Sequence, residues 1–85
     1  MDAAPQAEHD KDYRIFVDGT PHTIEVEVLD YDEIVRLAYP QPDPNTIYDV
    51  TFEKAKKPHE GDLLKGQSVE IKNGTEFDVT PAGNA

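Results

Sequence analysis

The sequence predicts an α+β roll, in which a mixed sheet of four to five strands packs on one helix. Two observations predict it: runs of β-branched and aromatic residues stand near both ends of the chain, and one apolar run with helical spacing lies between them at 31–38. The turn dipeptides Asp18-Gly19 and Asn73-Gly74 separate predicted strands. A chain of 85 residues has room for one sheet layer, one helix and one core, so we expect a single domain without a deep catalytic pocket, which is not an enzyme.

The opening of the fold is a predicted β-hairpin. Residues 13–17 are rich in β-branched and aromatic side chains, and the Asp18-Gly19 dipeptide that follows is a strong hairpin signal. Residues 22–28 then alternate between apolar and polar side chains, which is typical of an antiparallel strand with one buried face. The side chains that this alternation predicts to be buried are Ile24, Val26 and Val28.

A single helix is predicted after the hairpin. Asp30 is the expected N-cap, and Glu33 stands three residues later, at the spacing of a capping box. Pro40 is expected to end the helix, because proline cannot continue the helical hydrogen bonding. The side chains expected to face the core share the helical period and are Tyr31, Ile34, Val35, Leu37 and Ala38.

The second half of the chain contains shorter apolar runs. Residues 47–52 predict a third strand, with Tyr48, Val50 and Phe52 facing inward. A polar loop follows, after which Leu63 and Leu64 are expected to re-enter the core in a short turn.

The last two apolar runs flank the Asn73-Gly74 turn. Val69 belongs to a short alternating run before the turn, and Phe77 and Val79 belong to the predicted last strand after it. The turn either pairs Val69 with Phe77 in a hairpin, with Gly74 left-handed, or only reverses the chain tightly.

The composition limits the classes of function. With 18 acidic residues against 8 basic ones, the net charge is −10, so direct binding to nucleic acid phosphates is not expected. The charge serves either attraction to a basic partner or solubility. Because the sequence has no cysteine, disulfides, zinc–thiolate sites and thiol nucleophiles are excluded, and a cytoplasmic location is expected. Residues 1–12 lack aromatic and β-branched side chains, which predicts a flexible acidic leader rather than a signal peptide.

No catalytic or metal-binding set is legible in the sequence. His9, His22 and His59 are scattered, without a second ligand at metal spacing, so no metal site is expected. Ser68 is the only serine, and no nucleophile elbow surrounds it.

Phe16 and Ile47 are the candidate partner surface. Phe16 alternates with inward-facing residues and is expected on the outer face of the sheet, where an exposed aromatic ring is typical of a partner contact. Ile47 joins it if both lie on one face. The alternative is that each is a single exposed hydrophobic residue, which is common on protein surfaces.

The chain resembles ubiquitin, and more closely the multiubiquitin type of ubiquitin-like domain found in bacterial ubiquitination-type operons. The resemblance rests on residues 14–17 and 23–28 of the predicted hairpin, and on 60–69 and 73–80 in the second half. It covers about residues 13–83. It implies a β-grasp domain over 13–80, in which the first and last strands pair in parallel, and it carries an association with antiviral defence.

The resemblance also implies that the chain works as a protein modifier through its tail at 81–85. Partner enzymes would recognise Thr80, Pro81, Ala82 and Gly83. An activating enzyme would use ATP to adenylate the Gly83 carboxylate, and a conjugating enzyme would pass the acyl group to an amine on a target protein. The chain itself would need no cofactor.

Two residues of the tail carry further expectations. Glycine suits the narrow channel of a partner because it has no Cβ, and Gly83 meets that need. Because Asn84-Ala85 follows, we expect a precursor that a protease cuts between Gly83 and Asn84. Pro81 is expected to keep the tail extended and to prevent further sheet pairing.

Two other classes of function stay open on the sequence. The first is a sulfur carrier of the same fold, whose terminal glycine becomes a thiocarboxylate. The second is a non-covalent acidic binding module, which the charge of −10 favours.

Overall fold

The computed structural model describes residues 12–84, with the side chain of residue 84 left aside. Of the predicted leader at 1–12, only Asp12 falls within the described residues. The elements in chain order are β1 (Tyr13–Val17), β2 (Thr20–Ile24), β3 (Val28–Asp30), α1 (Tyr31–Ala38), β4 (Thr46–Glu53), β5 (Gly61–Leu63), β6 (Ser68–Glu70) and β7 (Glu76–Asn84).

The main sheet has five strands in the order β2-β1-β7-β4-β5. Strands β1 and β7 run parallel, with Val17 opposite Phe77, while the neighbouring pairs are antiparallel. The parallel pairing expected from the resemblance is therefore confirmed. Helix α1 covers one face of the sheet, where Ile15, Ile34 and Phe77 are fully buried. The arrangement is consistent with a β-grasp-like α+β fold.

The turn between β1 and β2 forms where the sequence predicts it. Asp18 and Gly19 both have positive φ, of 52° and 83°, as the favoured two-residue hairpin turn requires. Aspartate tolerates this region better than most residues with a side chain, and glycine enters it without steric cost. The turn fixes the register, in which Val17 lies opposite Thr20.

The capping box predicted for the helix is present. The Asp30 carboxylate accepts a hydrogen bond from the Glu33 amide at 2.9 Å, and the Glu33 carboxylate accepts one from the Asp30 amide at 2.9 Å. The helix buries Tyr31, Ile34 and Val35 and ends at Ala38, two residues before Pro40.

The prediction that Val26 and Val28 are buried is wrong. Their side chains are 51% and 49% exposed, and Leu29 lies in the core instead. The pairing of β2 with β1 ends at Ile24, and the chain bends at 25–27 before β3 joins β6 in a second, two-stranded sheet. The bend shifts the alternation by one residue, which a pattern of period two cannot anticipate.

The segment before β7 also differs from one expectation. Val69 is buried, but it pairs with Leu29 and not with Phe77. The chain reverses in a tight turn, in which the Thr75 amide donates to the Lys72 carbonyl at 3.2 Å. Of the two readings of this turn, the tight reversal is therefore confirmed and the hairpin is wrong.

Candidate functional site

The C-terminal tail is a continuation of the sheet. Strand β7 pairs with β4 through Asn84, with Thr80 opposite Asp49 and Gly83 opposite Ile47. The expectation that Pro81 prevents further pairing is wrong. Ala82 has no partner on β4, because the register shifts by one residue between Ile47 and Tyr48. The tail is therefore a bulged strand end.

Proline is tolerated in this strand because its missing N–H falls on the edge that faces away from β4. The Phe77 carbonyl accepts from the Asp18 amide, and the Val79 amide donates to the Asp18 carboxylate, so odd-numbered residues of β7 turn their backbone groups toward β1. Pro81 continues that alternation. Strand β1 pairs only as far as Phe77, so position 81 requires no ladder donor.

Asp18 fixes the base of the tail. Its amide donates to the Phe77 carbonyl at 2.8 Å, and its carboxylate oxygen Oδ1 accepts from the Val79 amide at 2.9 Å. The carboxylate thus replaces a strand partner where β1 has already turned away. Val79 is 3% exposed and is the last buried residue of β7 before the exposed tail.

Residues 80–83 contribute no side chain to the core. The residues predicted to be recognised by partners, all exposed, are Thr80, Pro81, Ala82 and Gly83. All of them except Ala82 are paired with residues 47–49 of β4, and a strand end without buried side chains opens at low cost.

Gly83 adopts a backbone conformation that favours glycine. Its φ is +152°, which residues with a Cβ rarely adopt, although an added Cβ would meet no atom within 4 Å. The strand end opposite Ile47 therefore favours glycine at position 83 because of its φ, and not because space for a side chain is lacking. Gly83 is the predicted site of conjugation, and the predicted cleavage is at the Gly83–Asn84 peptide bond. Asn84, on the other side of this bond, is paired with Thr46.

The partner strand of the tail is itself held by Tyr31. The Tyr31 hydroxyl accepts from the Tyr48 amide at 3.2 Å and donates to the Tyr48 carbonyl at 2.7 Å. Strand β5 pairs only with residues 50–52 of β4. The Tyr31 hydroxyl therefore supplies the hydrogen-bond partner for the backbone of Tyr48, which β5 does not reach. With Tyr48 turned toward Tyr31, alternation turns the backbone of Ile47 and Asp49 toward the tail. The local sequence gives no sign that Tyr31 holds β4, because Tyr48 lies 17 residues away.

Phe16 and Ile47 share the outer face of the sheet but do not form one patch. Phe16 is half-buried and lies level with Glu76, which is opposite Glu53, whereas Ile47 is 50% exposed. Ile47 and Glu53 are six positions apart along β4, which is about 20 Å at the ordinary rise of a strand. The two residues of the candidate surface are therefore far apart.

Ile47 instead lines a groove between β4 and the segment at 62–65. Leu64, expected in the core, is 61% exposed, and it lines this groove of about 470 Å³ together with Ile47 and Tyr48. Leu63 alone re-enters the core, at 3% exposure, because only one of two consecutive strand-end residues can face inward.

Carboxylates occupy much of the outer face. Glu53 lies opposite Glu76, and Asp78 lies opposite Thr51, which also pairs with Asp62. The hydrogen bond between the Lys54 ammonium and the Glu76 carboxylate, at 3.1 Å, together with their attraction, lowers the pKa of Glu76 and raises that of Lys54. This exposed pair offsets the repulsion between the two opposed glutamates.

Other kinds of site receive no support within residues 12–84. In this part of the chain, no three His, Asp or Glu side chains are grouped so that they could hold a metal ion, and His9 lies outside it. No helix in the same range has the length and apolar character needed to cross a membrane.

Comparison with known proteins identifies the family. The family model described as Multiubiquitin matches residues 13–82, which include every element of the sheet and the tail through Ala82. No curated protein and no solved structure gives a significant match. A ubiquitin-like domain agrees with the parallel pairing of the first and last strands and with the single helix packed on the sheet. Since the match extends over most of the chain, this protein belongs to the multiubiquitin family.

Proposed function

We propose that the chain is the precursor of a ubiquitin-like protein modifier, which is trimmed after Gly83 and then joined to target proteins through the Gly83 carboxylate. The observation that carries the proposal is the tail of a ubiquitin-like domain: strand β7 continues past the last buried residue, Val79, through Gly83-Asn84, and residues 80–83 of it are exposed. We place this function in the cytoplasm, in a pathway of the bacterial ubiquitination type.

The chemistry belongs to the partners of the chain. A protease would hydrolyse the Gly83–Asn84 peptide bond and leave a carboxylate on Gly83. An activating enzyme would then bring ATP, and the carboxylate would attack the α-phosphorus so that pyrophosphate leaves and an acyl-adenylate forms. A cysteine thiolate of the activating enzyme would displace AMP, and the acyl group would move to a conjugating enzyme.

The final acceptor would be an amine of a target protein. The amine would attack the thioester carbon, the thiolate would leave, and an amide would form. The described residues support a role in which the chain is the group that is transferred and its partners carry out the chemistry. Residues 80–83 are exposed, and Gly83 presents no side chain to a narrow channel.

Intact-mass measurement tests the trimming step. The full chain would be incubated in a soluble extract of the source cells, beside the variant Gly83→Glu. We expect the native chain to lose Asn84 and Ala85, and the variant to persist, because a glutamate at the cleavage position would block the channel. A native chain that keeps both residues would contradict the proposal, and replacement of a terminal oxygen by sulfur would indicate a sulfur carrier instead.

A further inference from the structure

The end of β7 is the one strand end in the described part of the chain that the proposed function requires to leave the sheet. The tail latch is defined here as residues 46–49 of β4 together with residues 80–84 of β7. Within it, Gly83 lies opposite Ile47 and Asn84 lies opposite Thr46. The bond that the protease would cut is therefore part of a paired strand.

We propose that the tail latch regulates the modifier: the tail alternates between a docked state, paired with β4, and a released state, and only the released state is trimmed and activated. This inference rests on the proposed function, because it concerns the availability of the same Gly83–Asn84 bond. A channel that encloses an extended backbone must reach both of its edges, and in the docked state β4 occupies one of them.

The latch is built to open locally. Its exposed tail residues rest on backbone pairing without a buried side chain. The bulge leaves Ala82 unpaired with β4. A segment with few buried contacts opens independently of the rest of a domain.

The base of the tail is held much more firmly, which confines the opening to the latch. Val79 is buried, its amide donates to the Asp18 carboxylate, and Phe77 packs near Phe52 with ring centroids 6.0 Å apart. Release of the tail therefore leaves the core intact. The boundary between the two regions lies between Val79 and Thr80.

Substitutions at Ile47 separate its backbone from its side chain. Both Ile47→Pro and Ile47→Thr remove the isoleucine side chain, but only proline removes the N–H that faces the tail. By NMR hydrogen exchange, we expect the Gly83 amide to exchange at least about 10-fold faster in the proline variant than in the threonine variant. The Val79 amide should be equally protected in both variants, which reports an intact fold.

A disulfide provides the opposite change, since the sequence has no cysteine to interfere. The variant Thr46→Cys/Asn84→Cys would lock the latch, because facing residues of antiparallel strands lie within disulfide reach, at about 4.5–5.5 Å between Cα atoms. The matched control is Thr51→Cys/Asp78→Cys, which joins the same two strands at a pair of residues outside the latch. Each oxidised variant is compared with its own reduced form, so that the effect of the disulfide is separated from the effect of the substitutions.

Trimming in the soluble extract of the source cells then gives the functional readout, with the proteins reduced before their masses are measured. We expect the oxidised latch variant to be trimmed at least about 10-fold more slowly than its reduced form. The control disulfide should change trimming less than about two-fold, and Ile47→Pro should be trimmed faster than Ile47→Thr.

The outcomes distinguish the two proposals. If the chains are trimmed but neither the latch disulfide nor the proline alters the rate, the latch is wrong and the modifier stands. If Gly83 exchanges equally fast in native, proline and threonine forms, the docked state does not exist, whatever the extract does. If no form is trimmed, the modifier proposal fails, and amide exchange alone decides whether the tail docks.

Discussion

Gly83 lies opposite Ile47, in the antiparallel pairing that carries β7 past the core along β4. The residue proposed to be conjugated is thus held in the sheet by its backbone, at a φ of +152° that favours glycine. This pairing gives Gly83 two requirements at once: the conformation of the strand end and the absence of a side chain for a partner's channel.

Gly83→Ala should separate these two requirements. We expect the free energy of unfolding to change by less than about 0.5 kcal/mol, because the position lies beyond the last buried residue and an added Cβ meets no neighbouring atom. The strained φ should instead loosen the latch, so that the amides of Thr80 and residue 83, which lie opposite Asp49 and Ile47, exchange faster. A loss of global stability in urea denaturation would show that the tail is part of the cooperative core.

Tyr31→Phe should destabilise the domain by about 1–3 kcal/mol, because it leaves the Tyr48 amide and carbonyl without the buried hydroxyl that satisfies both. Tyr39→Phe is the matched control, since within residues 12–84 its hydroxyl makes no hydrogen bond and its ring remains against Tyr48. Urea denaturation of both variants measures the difference. Equal stability would mean that water replaces the hydroxyl at the edge of β4.

Asp18→Ala should cost about 1–2 kcal/mol, because it removes the acceptor of the Val79 amide and places alanine at positive φ. Asp18→Asn keeps a side-chain oxygen and tolerates the same φ, so it should retain most of the stability. A calorimetric melting comparison measures both. If asparagine costs as much as alanine, the charge of Asp18, and not its hydrogen bond, stabilises the base of the tail.

Acid should remove the benefit of Lys54. The pKa of Glu76 is lowered from its ordinary value of 4.5, so its stabilising contribution is present above that value and is lost as the pH falls through the lowered pKa. Lys54→Gln should therefore lower stability slightly at neutral pH, with a penalty that fades below 4.5 as Glu76 becomes protonated.

Urea midpoints at about pH 7 and about pH 3 measure this change. Lys65→Gln is the control, since the described residues place Lys65 in no ion pair. A Lys54 penalty that persists in acid would mean that packing of its stem, and not its charge, stabilises the sheet.

Local patterns in the sequence predicted the elements that local chemistry determines. The Asp18-Gly19 turn and the Asp30 capping box each depend on neighbours within a few residues, and both formed as expected. Val26 and Leu64 were misplaced because burial depends on where the chain leaves one sheet for another, which involves residues distant in sequence.

The same distinction explains what could be predicted about the candidate site. The sequence indicated Gly83 as the working residue, but the pairing that holds it joins residues far apart in the chain. The roles of Asp18 and Tyr31 were also not anticipated, because their partners lie 61 and 17 residues away. Whether Pro81 prevents pairing depends on which strand edge its missing N–H faces, and the sequence does not show that edge.

Activation of the Gly83 carboxylate can be measured directly by ATP–pyrophosphate exchange. The assay would use a chain that ends at Gly83 and the purified adenylating enzymes of the source genome. We expect exchange that depends on the trimmed chain and that falls to background both with Gly83→Glu and with the full precursor, in which Gly83 has no free carboxylate. If none of these enzymes exchanges pyrophosphate in the presence of the trimmed chain, the Gly83 carboxylate is not activated and the modifier proposal is wrong.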